Sequence, residues 1–264
     1  MKKIKTFTQI IIATIALSSC EKVIDLDLKD VESKLVVEAN ITNQPGPYFV
    51  KLTKSIPFDE SSIYPEVNDA LVIISDEAGQ SDTLNYTSNG VYKTNTTQGI
   101  EGRSYYLKIV AEGKTYTATS TMPQKVILDN IGISVLQFGG QNNNVLFPEY
   151  TDPIKKGNNY NFVVTINGVK NKTYLLWNDN TNNGLPNQRP IGGPGIDIKT
   201  GDNVIVEMQC IDSNVYDYYF TLSQMAGNGP GGGTTPTNPP NNITGGALGL
   251  FSAHTTESKD VIVP

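Results

Sequence analysis

From residue 33 to residue 122 apolar and polar positions alternate in short runs, separated by turn residues at roughly ten-residue spacing. Alternation sends successive side chains to opposite faces, so each run predicts a strand with one buried face. Residues 34–41 and 48–53 flank the turn Asn43-Gln44-Pro45-Gly46-Pro47, and residues 70–75 form a third run that stops at Asp76-Glu77-Ala78-Gly79. Residues 81–86 and 90–94 predict a hairpin about Ser88-Asn89-Gly90. A second hairpin pairs residues 105–110 with 115–120 through Ala111-Glu112-Gly113-Lys114. The pattern ends at Met122-Pro123, and strands so spaced predict a β-sandwich over residues 33–123.

The second half, residues 124–264, is less regular and predicts a second β-rich domain with one short helix. A long alternating segment spans 126–138, and the polar tract Gly139-Gly140-Gln141-Asn142-Asn143-Asn144 after it reads as an exposed loop. Residues 161–166 and 172–177 flank the turn at 167–171, and 204–211 is the strongest remaining strand. Val215, Tyr218, Tyr219 and Leu222 then recur at helical spacing, with Ser213 or Asn214 as the expected cap and an end near Gly227. Residues 227–240 hold Gly, Pro, Asn and Thr alone, a composition that cannot bury a core, so a mobile loop is expected there. Residues 247–253 and 260–263 predict two strands returning to the second domain.

The start of the chain follows a different plan. Lys2, Lys3 and Lys5 precede an apolar run over residues 10–17, and Ser18 and Ser19 precede Cys20. Basic stub, apolar run and small residues make a secretory signal over residues 1–19. The apolar run is well short of the roughly 20 residues that span a bilayer. Leu17-Ser18-Ser19-Cys20 resembles the bacterial lipobox, so cleavage and lipidation of Cys20 are expected, with residues 20–32 as a tether. Several acyl chains hold a protein at a membrane almost irreversibly. Glu21 stands after the cysteine where an aspartate would signal inner-membrane retention, which favours the outer membrane, and the acidic residues beyond it resemble the export signals of Bacteroidota surface lipoproteins. The exterior face is expected, with the periplasmic face as the alternative. Cleavage removes three of the 20 basic side chains and none of the 26 acidic ones, taking the net charge from −6 to −9. That balance excludes a basic nucleic-acid footprint and a polybasic membrane patch.

Landmarks along the whole mature chain resemble the Bacteroidota lipoproteins grouped as domain of unknown function 4249. They are residues 20–26 (Cys-Glu-Lys-Val-Ile-Asp-Leu), 34–38 (Lys-Leu-Val-Val-Glu) and 67–76. Further on come 113–118, Met122-Pro123, Ile211-Asp212 with residues 215–219, and finally 238–243, 246–249 and 251–253. The family is similar to others encoded near TonB-dependent outer-membrane transporters. The resemblance therefore implies an accessory lipoprotein at such a transporter, one that captures a ligand. The first domain also resembles small transthyretin-like sandwiches, where an Ala-x-Val-x-Ile strand (Ala70, Val72, Ile74) precedes an Asp-x-x-Gly turn (Asp76, Gly79). The expected fold class is thus mainly β: an N-terminal Ig-like or transthyretin-like sandwich, then a second β-rich domain.

Catalytic chemistry is sparse. His254 is the single histidine and cannot build a zinc site alone. No Gly-x-Ser-x-Gly elbow supports a triad with it. Cys210 sits in an apolar strand and reads as a buried, inert thiol. Asp179, Thr181, Asn183 and Gly184 partly follow a calcium loop, but Pro190 stands where the bidentate glutamate belongs; an ordinary Asn/Gly loop is the competing reading. Two Gly-rich runs lack the Lys and Ser/Thr of a phosphate cradle. Glu207 with Asp212 or Asp217 has no fixed separation to suggest glycosidase work. No cofactor or metal is expected, and no enzymatic activity.

Exposed aromatics are the better lead for binding. Phe58, Tyr64 and Trp177 stand in or beside long loops, where rings could stack on a ligand or instead pack beneath their own loops. Asp82-Thr83-Leu84 resembles the short Bacteroidota acceptor motif for O-linked glycans, which makes Thr83 a candidate modification site. The expected function is a non-enzymatic module binding a TonB-dependent transporter or its ligand. The alternative is a structural or adhesive protein of the cell surface.

Overall fold

In the computed structural model, residues 32–57, 63–138, 140–180, 183–187, 189–192, 195–227 and 238–264 are described. Cys20, Phe58 and residues 228–237 of the expected mobile loop lie outside them. The alternating runs form β1 (Leu35–Thr42), β2 (Phe49–Lys54), β3 (Leu71–Asp76), β7 (Ser104–Ala111) and β8 (Lys114–Thr121). Between β3 and β7 lie β4 (Ser81–Thr83), β5 (Asn85–Ser88) and β6 (Val91–Lys93). The turn at Asn89-Gly90 has φ of 53° and 72°, and that at Glu112-Gly113 has 50° and 73°. Two left-handed residues in succession match the twist of the strands they join, which is why these hairpins were legible.

The expected single strand over 81–86 is instead two. β4 pairs with β3 in a four-stranded sheet of order β4-β3-β7-β8, whereas β5 pairs with β6 in another sheet. Leu84, 5% exposed, carries the chain between them. Alternation persists through such a corner, so the pattern alone cannot reveal it.

The second half forms β9 (Asn130–Phe138), β10 (Gln141–Glu149), β11 (Asn159–Ile166), β12 (Val169–Lys170), β13 (Leu175–Asn178), β14 (Asn203–Ile211), helix α1 (Ser213–Gly227) and β15 (Leu248–Ile262). Gln141 to Asn144 belong to a strand and not to the expected loop, because β9 and β10 zip together over their whole length, Asn142 opposite Gln137 and Asn144 opposite Val135. Backbone bonds hold such a ribbon, so polar side chains are tolerated on it. Asp212 caps α1, in place of the expected Ser213 or Asn214. Its Oδ1 accepts the Val215 N–H at 2.9 Å, while Oδ2 accepts from the Ser120 hydroxyl at 2.6 Å and the Thr121 N–H at 3.1 Å. One carboxylate thereby ties the helix to β8.

β15 is one strand of 15 residues, where two were expected. Its first half runs parallel to β1, with Val36 opposite Leu248 and Thr42 opposite His254; its second half runs antiparallel to β14. A nine-stranded sheet results, β12-β11-β14-β15-β1-β2-β6-β5, with β13 also on β11. The residues Ser33–Ile56 and Ser61–Pro264 make one compact unit. Two cores lie along this sheet. Val37, Ile41, Leu52 and Phe251 pack against Val72, Ile74, Leu107 and Ile109 of the four-stranded sheet, which makes the first an Ig-like β-sandwich. Phe162, Val164, Val206 and Met208 pack with Leu128, Leu146 and Ile191 in the second. Each such fully buried side chain contributes about 1.5–3 kcal/mol. Phe251 and Ala253 thus join the first core, contrary to the expectation that residues 247–253 serve the second.

Candidate ligand-binding groove

Alternation that buries Val37, Ala39 and Ile41 of β1 turns Glu38, Asn40 and Thr42 to the opposite face of the large sheet. Register then lines up polar residues across four adjacent strands. Asn40 lies opposite Ser252 and Thr42 opposite His254; Gln209 lies between Thr256 and Asn161. Asn161 Nδ2 donates to Gln209 Oε1 at 2.7 Å, and Gln209 Nε2 donates to Glu207 at 2.6 Å. Interlocked amides of this kind present fixed donors and acceptors.

Helix α1 forms one wall of this floor. Val215 packs with Ile211 and Leu250, and Tyr218 and Tyr219 settle beside them. Tyr219 stacks on Tyr174 with ring centroids 5.4 Å apart, and Tyr218 meets Tyr219 edge-on at 5.8 Å. Burial pushes the Tyr219 phenol up to about 12 and raises that of Tyr218. Asn40, Thr42, Asn161, Gln209, His254, Lys170, Lys172, Tyr174 and Tyr219 surround a groove of about 610 Å³. Asn40, Tyr174 and Tyr219 also line a hollow of about 310 Å³ that extends along Glu38 and Leu222. Volumes of this order suit a small ligand.

His254 is 6% exposed, and burial, aided by the charge of Lys170, lowers its pKa to about 4. It is therefore a neutral hydrogen-bonding ring near pH 7. Its Nδ1 lies 2.9 Å from the Ser252 hydroxyl. Ser252 is only 1% exposed, and the ionic neighbour acting on the ring is a cation, the reverse of the carboxylate that orients a catalytic histidine. Amides, hydroxyls, an aromatic wall and two lysines can bind a polar ligand by hydrogen bonds and ring contact.

The residues singled out in the sequence do not gather here. Tyr64 is 54% exposed, on the segment where Pro65 O accepts from Lys54 N, and does not line the groove. Trp177 packs on Phe162 at 4.4 Å beside the second core and is only partly exposed. Thr83 is exposed on β4, while Asp82 before it is buried, accepting N–H bonds from Asn95, Thr96 and Thr97 at 2.8–2.9 Å. Cys210 is 4% exposed and burial pushes its thiol pKa up. Asp179 takes the Gly157 and Asn158 N–H groups at 2.6 and 3.0 Å. Glu207, Asp212 and Asp217 have separate surroundings: an amide bond, a helix cap and the exposed side of α1. Sequence reading missed Asn40, Asn161 and Gln209, since a polar residue at an outward strand position looks like ordinary solvent-facing surface. The usable signal was the tyrosine pair on α1, which needs a sheet face to lie on.

Among the described residues, fold and groove together define a mainly β protein, an Ig-like sandwich extended by a second β core and one helix. The chain belongs to the family described as domain of unknown function (DUF4249), which matches residues 21–260. No curated protein matches the sequence. Among solved structures, a two-fibronectin-type-III-domain segment from chicken tenascin is similar, at 11% identity and a TM-score of 0.26 over 88% of this chain and 100% of that one. No helix among the described residues is long and apolar enough to cross a membrane.

Proposed function

We propose that the protein is a Bacteroidota outer-membrane lipoprotein, anchored through acylated Cys20 and facing the cell exterior. There it acts as a non-enzymatic, ligand-binding accessory of a TonB-dependent transporter. The carrying observation is the groove: a polar floor of Asn40, Asn161, Gln209 and His254 beneath the stacked Tyr174–Tyr219 wall. The lipobox-like start of the chain supports the anchor. Amides held in register across the sheet supply orientation, and the tyrosine rings supply contact area at low entropic cost. A ligand so held beside the membrane can be handed to a transporter without leaving the surface.

Affinity purification of the tagged chain from gently solubilised membranes of its host tests this reading. A transporter recovered in stoichiometric amount, with an acylated N-terminal peptide in the mass spectrum, is the expected result. Recovery of the chain alone, or an unacylated start, refutes it. Tyr174→Ala removes half of the stacked wall and is expected to weaken ligand capture by about tenfold or more while leaving the fold intact.

A further inference from the structure

Beside the second core, two buried side-chain oxygens have no hydrogen-bond donor: Asp152 Oδ2 and Asn183 Oδ1. Asp152 is 2% exposed, and its other oxygen already takes the Tyr160 hydroxyl bond. A backbone ladder holds it against the Asn183 segment: Asp152 N donates to Leu185 O at 3.0 Å and Gly184 N donates to Pro153 O at 3.3 Å. Asn183 spends its amide nitrogen on Asp179 O, at 2.9 Å, which leaves its carbonyl oxygen unused. The Asp179 carboxylate, 5% exposed, is near enough to act electrostatically on Asp152.

A buried carboxylate oxygen without a donor is costly, and a second carboxylate beside it raises the cost. What these oxygens lack in common is a positive charge. We infer that Asp152, Asp179 and Asn183 bind a single calcium ion. Calcium takes six to eight oxygens in flexible geometry, amide carbonyls and water among them, so two carboxylates and one amide suffice as protein side-chain ligands. Pro190 occupies the place of the terminal glutamate of a contiguous loop, and Asp152 supplies that carboxylate from a separate segment.

The test compares the full chain in detergent with excess EGTA and with calcium. At calcium a hundredfold above its dissociation constant, the melting temperature is expected to rise by about 5–10 °C. Terbium added to the EGTA-stripped chain is expected to luminesce on tyrosine excitation, through Tyr160, and calcium is expected to quench the signal by displacement. Asp152→Asn retains side-chain shape, relieves the buried charge and should fold; both responses should vanish in it and persist in Asp197→Asn, an exposed control. Equal melting temperatures with EGTA and millimolar calcium, with no terbium signal, overturn the inference. So does a calcium response that survives in Asp152→Asn.

Discussion

Asp82 is the most instructive residue to perturb. Its Oδ2 accepts the Asn95, Thr96 and Thr97 N–H groups and the Thr97 hydroxyl, all at 2.8–2.9 Å, and Oδ1 accepts Asn95 Nδ2 at 3.1 Å. Burial opposes the charged form, but these donors outweigh it and bring the pKa down to about 2. An unfolded aspartate titrates near 3.9, so the difference of almost two units corresponds to about 2.5 kcal/mol of stability. Because the folded value is depressed, that stability is full above about pH 4 and is lost as the pH falls through about 2. Asp82→Asn turns one acceptor into a donor facing N–H groups, and should cost about 2–3 kcal/mol at pH 7. Urea titration followed by circular dichroism and by Trp177 fluorescence should show the midpoint falling by about 1 M. The gap between parent and variant should narrow between pH 4 and pH 2. An unchanged midpoint at pH 7, or a gap of constant size across that range, refutes the assignment of Asp82 as the clamp of this turn.

His254 acts in the same direction, in a higher pH window. Its folded pKa of about 4 lies below the roughly 6.5 of an unfolded histidine, so the unfolded chain gains the proton first and about 3 kcal/mol of stability is lost between pH 6.5 and pH 4. His254→Gln should flatten that part of the stability–pH curve, and an unaltered curve would contradict the burial argument. Gly249 has φ of 98°, and a Cβ there would fall 2.0 Å from Val37 O, so Gly249→Ala should break the β1–β15 pairing; a native circular dichroism spectrum and unchanged melting would disprove this. Cys210 should resist a thiol reagent at pH 8 and react fully in 6 M guanidinium, as its burial and raised pKa require. Labelling of the folded chain would show the strand to be open.

Strands with one wet face were readable because their periodicity is physical: Leu107, Ile109 and Ala111 of β7 point inward for the same reason that they alternate in sequence. The Asn89-Gly90 and Glu112-Gly113 turns and the α1 stripe were readable from local chemistry. The β9–β10 ribbon was hidden because Asn142 to Asn144 contribute backbone bonds and no apolar signal. Long-range register hid the groove, since nothing near Asn40 in the sequence announces Ser252 as its neighbour. The calcium candidate lay half in view: Asp179 and Asn183 matched a loop pattern, whereas Asp152 joins them only through the ladder to Leu185.

β15 has a further consequence for how the molecule comes into being. Both halves of the protein borrow the same late segment, so an N-terminal portion emerging from the ribosome has an open gap beside β1 and cannot close its sandwich by itself. Folding must wait for residues 248–262 and then finish in both places nearly together.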